Sequence, residues 1–251
     1  MAAERPDTGG EVIWRVSRIQ PENHDVTSMF LEGKDAKFAA RRAGQYAVIR
    51  VMRPEGWSEP HPFTISCAPE ADYLQFTIKA AGAFTSSVRN IEPGTPVKCL
   101  GPNGTFCRDI DDRPSVVLIA GGVGITPFLS VLRHFHAKGA SNEVMLFWSN
   151  KTFEDVFCLE EISGMSNALN LKVVHNLSRE DDPKRHLRGG YPNVVFESGR
   201  LDAGVLSRYG VNPKAAFYLC GPPPMMDSVL QELSTLGVDP EAVEREKFSW
   251  K

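Results

Sequence analysis

The rhythm of apolar and polar positions changes near the middle of the chain. In the first part, apolar residues come in short runs: Val12–Ile19, Thr27–Glu32, Gln45–Met52, Pro62–Cys67, Tyr73–Ala80 and Thr95–Leu100. Gly and Pro clusters separate several of these runs, and no long amphipathic helix is evident. Short strands between turn signals predict an antiparallel barrel or sandwich. In the second part, strand and helix alternate. Ser115–Ala120 is a continuous apolar run, as expected for a strand buried on both faces. A helix follows, with Thr126 as its cap and Pro127 in its first turn. Ile125, Phe128, Leu129, Leu132 and Phe135 then share one helical face. Val144–Ser149, Leu171–Leu177 and Phe217–Cys220 predict three more buried strands. After Pro224, Met226, Val229, Leu230 and Leu233 line one face of a last helix, which Gly237 stops. Such alternation predicts a parallel sheet covered on both sides. The acidic, Pro-containing stretch Asp109–Pro114 divides the chain into a β domain over 1–112 and an α/β domain over 113–251. Residues 1–10 are small, polar and Gly/Pro-containing, and are expected to be disordered.

Composition narrows the function classes. Hydrophobic residues make up 42% and charged residues 24% of the 251, as in ordinary globular proteins. The net charge of -3 gives no electrostatic footprint for nucleic acid. No apolar run is long enough to span a bilayer, and residues 1–10 lack the apolar segment of a secretory signal, so a cytoplasmic protein is expected. The five cysteines (Cys67, Cys99, Cys107, Cys158 and Cys220) include no C-x-x-C pair. That argues against a disulfide framework, a structural zinc site and a plant-type iron–sulfur cluster, and no metal is expected.

The strongest local site is Ala120-Gly121-Gly122-Val123-Gly124-Ile125-Thr126-Pro127, between a buried strand and a helix start. Glycines there let the backbone turn sharply and approach a phosphate, beside the unpaired N–H groups of the helix. A structural turn would usually need one glycine; three favour nucleotide binding. The loop is not a Walker A loop, since no Gly-Lys-Ser/Thr follows, and alone it does not separate a dinucleotide from another phosphate ligand.

Taken in order, several motifs from about Gln45 to Trp250 resemble the ferredoxin–NADP reductase superfamily. His61-Pro62-Phe63-Thr64-Ile65-Ser66 resembles its flavin motif, Arg-x-Tyr-Ser/Thr, in the His-Pro-Phe-Thr form of the ferric reductase and NADPH oxidase branch. The resemblance implies that Phe63 lies against the flavin ring, Thr64 bonds near its N5, and His61 approaches the ribityl or pyrophosphate. Ile78-Lys79-Ala80-Ala81-Gly82-Ala83-Phe84-Thr85-Ser86 resembles the second flavin segment, where Gly82, Thr85 and Ser86 would hold the pyrophosphate. Thr85 can equally be a plain helix cap. Gly101-Pro102-Asn103-Gly104 resembles the turn that closes the barrel. Cys220-Gly221-Pro222-Pro223-Pro224-Met225 resembles Cys-Gly-Pro-Pro-x-Met, whose cysteine lies beside the nicotinamide. The closing segment implies Glu246 near the nicotinamide and Trp250 stacked on flavin or adenine. The implied fold is an antiparallel β-barrel flavin domain followed by a parallel-sheet α/β nucleotide domain.

The resemblance implies FAD rather than FMN. It also bears on the nicotinamide. Ser149-Asn150-Lys151 and Ser178-Arg179-Glu180 end neighbouring strands, and a Ser-Arg at the second place fits a 2′-phosphate. No acidic residue ends Val144–Ser149, where one would favour NAD. NADPH is therefore expected over NADH. Hydride would pass from nicotinamide to flavin, and electrons onward to a ferredoxin, a flavodoxin or a membrane haem protein. Such a partner would place the chain at a membrane peripherally. Two alternatives are a flavin or ferric-chelate reductase with small acceptors, and a regulatory subunit without turnover.

Overall fold

A computed structural model describes residues 11–187 and 189–247. The expectations for residues 1–10 and for Trp250 lie outside the described residues.

The first seven strands are β1 (Glu11–Pro21), β2 (Val26–Glu32), β3 (Tyr46–Arg53), β4 (Gly56–Trp57), β5 (His61–Thr64), β6 (Leu74–Lys79) and β7 (Pro96–Asn103). They pair antiparallel in the order β4-β3-β7-β1-β2-β6, with β5 also on β3. The chain just after β5 bridges to the far edge, where Ser66 N–H donates to Gln75 O of β6 at 2.8 Å. The sheet therefore curls round into a barrel. Alternation along β3 buries Ala47, Ile49 and Val51, which join Trp14, Leu31, Phe76 and Val97 in the barrel core. Two short helices interrupt the strands. Asp35 caps α1 (Ala36–Ala39) by accepting from Lys37 N and Phe38 N, and α2 (Ala83–Ser87) follows β6. The strand expected over Pro62–Cys67 stops at Thr64, because Ser66 leaves β3 for β6. The two-residue β4 is too short to show a period.

The second sheet is parallel throughout, in the order β11-β10-β9-β8-β12-β13. Its strands are β8 (Ser115–Gly121), β9 (Glu143–Asn150), β10 (Leu171–Leu177), β11 (Val194–Ser198), β12 (Ala216–Gly221) and β13 (Glu244–Lys247). One face packs on α3 (Thr126–Lys138) and α4 (Leu159–Ala168), the other on α5 (Ala203–Arg208) and α6 (Pro223–Thr235). This is the two-layered covering that continuous apolar strands require. Gly139, at φ 60°, ends α3, and Gly237, at φ 80°, follows α6.

Two sequence expectations change here. Thr126 does not cap α3: residues Gly122–Ile125 already form a 3-10 turn, and Thr126 Oγ1 donates back to Val123 O at 3.1 Å. The helix is also buried on more than one face. Ser130 Oγ donates to Cys67 O at 2.8 Å, and Arg133 Nη1 donates to Ser66 O at 2.6 Å. α3 thus joins the two sheets, and its polar face meets the barrel instead of water.

Candidate functional site

In open α/β sheets, ligands bind beyond the carboxyl ends of the strands. Here the phosphate-type loop leaves β8 at that edge. Its three glycines serve different ends. A Cβ on Gly124 would stand 2.4 Å from Cys220 O, and one on Gly121 2.9 Å from Pro222 Cδ. Both are therefore packing glycines that let the loop nest against the chain leaving β12. Gly122 sits at φ 51° with nothing within 4 Å of its missing side chain, so it carries the open turn. Trp148 Nε1 donates to Gly122 O at 2.9 Å and pins the loop from below. No local sequence signal marks that bond, because it depends on strand register. Ile125, Thr126 and Pro127 are buried in packing, and the Thr126 hydroxyl is spent on Val123. Only backbone remains there for a ligand.

Parallel register sets Phe196, His175, Trp148, Ala120, Cys220 and Glu246 side by side across the sheet. Cys220 is fully buried, and burial, with Glu246 nearby, pushes its thiol up. It is a neutral contact group rather than a nucleophile. Glu246 Oε2 is buried with no hydrogen-bond partner among the described residues. Burial, then the charge of Glu244, pushes its carboxyl up to about 7. Met225 Sδ lies against the backbone of Gly121 and Gly221, where Cβ atoms would meet it at 3.0 and 3.1 Å. Pro222, beside them, is exposed.

In the barrel, three rings stack nearly parallel. His61 lies on Phe84 at 3.8 Å and 21°, and Phe63 lies 6.1 Å from Phe84 at 16°. His61 is held below its ordinary value by burial first and by Arg53 second, with Glu59 opposing. Pro62 is exposed beside it, and Thr64 Oγ1 is buried without a partner among the described residues. An unpaired buried hydroxyl costs about 1–3 kcal/mol, so this one suits a ligand atom. The departures from the family pattern are His61 in place of Arg and Phe63 in place of Tyr, while Thr64 keeps the hydroxyl.

Several expected flavin contacts are revised. Ser66 is fully buried and bonds Gln75 O at 3.1 Å and Thr77 Oγ1 at 3.0 Å, so it belongs to the barrel interior. The Ile78 side chain lies in the barrel core. Lys79 forms an ion pair with Asp25, which offsets its charge. The Thr85 hydroxyl accepts from Ala81 N at 2.8 Å and Gly82 N at 2.9 Å and donates to Gly82 O at 3.1 Å. It shapes the turn and has no hydrogen left for a phosphate. Gly82 has open space around it, and Ser86 is exposed.

At the second nucleotide corner, the loops after β9 and β10 are tied together. Ser178 N donates to Asn150 O at 3.0 Å and Arg179 N to Lys151 O at 2.8 Å. Lys151, Ser178 and Arg179 are exposed, whereas Ser149 Oγ and Asn150 Nδ2 are buried without partners among the described residues. Glu180 is spoken for: it accepts from Phe153 N at 2.5 Å, His186 Nε2 at 2.7 Å and Arg185 at 3.1 Å. No local sequence signal marks this clamp, because Phe153 lies 27 residues from Glu180.

The orphaned Thr64 hydroxyl, the open Gly82 backbone and the ring stack fit a flavin; the glycine loop and the exposed Ser178 and Arg179 fit a nicotinamide dinucleotide. Residues 14–98 match the family described as FAD-binding domain, and residues 118–231 that described as oxidoreductase NAD-binding domain. A flavohemoprotein of Bacillus subtilis is 26% identical over 93% of this chain and 58% of its own length. The reductase component of propane 2-monooxygenase from Rhodococcus jostii is 28% identical over 95% of this chain and 64% of its own length. The chain thus spans about three fifths of these curated relatives. Among solved structures, the FAD/NAD-binding domain of a nitric oxide dioxygenase from Vibrio cholerae superposes with a TM-score of 0.76. That pair is 24% identical, and the match covers 95% of this chain and 99% of that one.

Proposed function

The chain belongs to the ferredoxin reductase-like FAD- and NAD-binding oxidoreductases, and on that premise we propose that it draws reducing equivalents from NADPH into FAD and passes electrons to a separate protein acceptor. The observation that carries this reading is the meeting of two built surfaces along α3. One is the glycine turn at the sheet's carboxyl edge, which packs against β6. The other is the ring stack of His61, Phe84 and Phe63, on the same strand as the Thr64 hydroxyl, which has no partner among the described residues.

With both cofactors bound, the chemistry available is hydride transfer between nicotinamide and flavin, then passage of electrons onward. The chain's own task is to bind, orient and insulate. Thr64 Oγ1 offers a hydrogen bond toward the flavin ring, and Phe63 and Phe84 give it an apolar wall. Glu246 carries its carboxyl shifted up to about 7, with one oxygen that has no partner among the described residues. Cys220 supplies a small, uncharged contact beside it. Ser130 and Arg133 bind α3 to the barrel, which fixes the two surfaces relative to each other.

Exposed Lys151, Ser178 and Arg179 support NADPH over NADH, since Glu180, the nearest carboxylate in that loop, is held by Phe153, His186 and Arg185. A monooxygenase reductase component among the relatives supports a protein acceptor; ferredoxin, flavodoxin and haem proteins are the candidates. The test is anaerobic titration of the purified protein with NADPH and with NADH, followed at flavin wavelengths, with the released flavin identified. Bleaching by NADPH at lower concentration than NADH is expected. A protein that holds no flavin, or whose flavin neither nucleotide bleaches, overturns the proposal. Acceptor assays then separate a protein partner from ferric chelates or free flavin.

A further inference from the structure

The flavin segment has histidine where its family pattern has arginine, and the structure points to the residue that fills the gap. Arg53 ends β3, outside both flavin segments in sequence. Its guanidinium nevertheless reaches the flavin cradle. Nη2 donates to Ser87 Oγ at 2.9 Å, and Cζ stands 5.2 Å from the centre of the Phe84 ring. Phe84 is the ring on which His61 lies flat at 3.8 Å. Arg53 and His61 therefore attend the same ring.

We propose that Arg53 is the phosphate-binding cation of the flavin site, its guanidinium taking the pyrophosphate of FAD in place of the missing motif arginine. This rests on the flavin reading above. An anionic phosphate needs a positive partner, and neither His61, Lys79, Thr85 nor the α2 helix end supplies one. Burial, and then Arg53 itself, disfavour a charge on His61, which makes it a weaker phosphate partner than a guanidinium. The Lys79 ammonium is paired with Asp25. The Thr85 hydroxyl is consumed by its own turn. The α2 helix has five residues, too few for its dipole to substitute for a cation. A guanidinium, by contrast, keeps its charge at all working pH and carries five donors in a planar fork. The bond to Ser87 uses one nitrogen and fixes the orientation of the rest. Open space at Gly82 and the exposed Ser86 leave room for the ligand alongside.

The experiment compares FAD with riboflavin, which has the same ring and no phosphate. Flavin is stripped from the full chain, and both ligands are titrated back by fluorescence quenching. Arg53→Ala is expected to weaken FAD about 10–100-fold, the range for a lost charge-assisted contact, while riboflavin changes less than about twofold. Arg53→Met, which keeps the stem against Phe84, should lose as much, and raised salt should shrink the difference. Adding His61→Arg to Arg53→Ala should restore FAD. Equal weakening of FAD and riboflavin would mean that Arg53 merely packs on Phe84, and unchanged FAD binding would show that it does not touch the phosphate. Either result overturns the assignment while leaving the flavin reading intact. Failure of the unmodified chain to take up FAD overturns both.

Discussion

At the carboxyl edge of the parallel sheet, the proposed ligand surface is mostly backbone: Gly121 and Gly124 nest against Cys220–Pro222, and Gly122 turns in open space. In the barrel, the surface is side chains, and they come from three separate stretches: Arg53 from β3, His61 to Thr64 on β5, and Phe84 on α2. A backbone surface tolerates almost no change at the residues that shape it, because their constraint is steric. A side-chain surface tolerates exchange as long as some residue supplies each chemical role. The His61 departure with Arg53 close by is an instance of the second kind.

The largest effect should therefore come from the loop. A Cβ at Gly124 would lie 2.4 Å from one backbone atom and 2.7 Å from another, both of Cys220, and neither can swing aside. Gly124→Ala is expected to cost about 3 kcal/mol or more, read from the denaturation midpoint, and to abolish nicotinamide binding. Gly122→Ala should cost only about 1 kcal/mol, since it meets a φ of 51° but no neighbour. Equal losses for the two variants would break the distinction between packing and turning glycines.

The next effect concerns a charge on the sheet edge. Glu246 has a folded value of about 7, above its ordinary 4.5, so the folded chain binds the extra proton between those values. Stability contributed by the protonated carboxyl is present at low pH and is lost as pH rises from about 4.5 through 7. Glu246→Gln should flatten that slope and stabilise the protein above pH 7 by on the order of 2 kcal/mol, seen as a higher melting temperature there and no gain near pH 4.5. A variant whose melting curve tracks the parent at every pH would show that the carboxylate is solvated.

A side-chain surface makes a kinetic prediction instead. Thr64→Ala removes the unpartnered hydroxyl but leaves the ring stack in place. Flavin reduction should slow roughly tenfold in stopped-flow, with NADPH affinity changed by less than about twofold. Unchanged reduction would remove Thr64 from the orienting role, and parallel loss of affinity would make it a binding residue.

The same contrast explains what the sequence made legible. Periodicity predicts strands over Ser115–Ala120 and Leu171–Leu177 and a helix after Thr126, and the structure has all three with ends shifted by about a residue, because a burial pattern is local. Three glycines between strand and helix announced the loop for the same reason. The five-residue β11 and the bond from Trp148 to Gly122 depend on partners far along the chain and left no local mark. Ser66 and Ile78 sit within the flavin segments, yet their side chains face the barrel interior. Arg53 lies outside those segments, so no motif marks it. Motif membership places a stretch of chain near a ligand, but pleat and register decide which side chains face it.

The smallest effect tests the corner where both kinds of surface meet. Arg179 N is held by Lys151 O and Ser178 N by Asn150 O, so backbone fixes the positions while the side chains stay exposed. Exposed cations contribute modestly, because water and salt screen them. Arg179→Ala is accordingly expected to lower kcat/KM for NADPH by about fivefold and to leave NADH within about twofold, an effect of about 1 kcal/mol. The preference should also narrow as ionic strength rises, since the 2′-phosphate is the only added charge distinguishing the two nucleotides. If both nucleotides lose equally, Arg179 serves the shared part of the dinucleotide, and discrimination must come from the unpartnered Ser149 and Asn150 groups beneath it. If neither changes, Arg179 is a solvated loop charge that takes no part in reading the nucleotide.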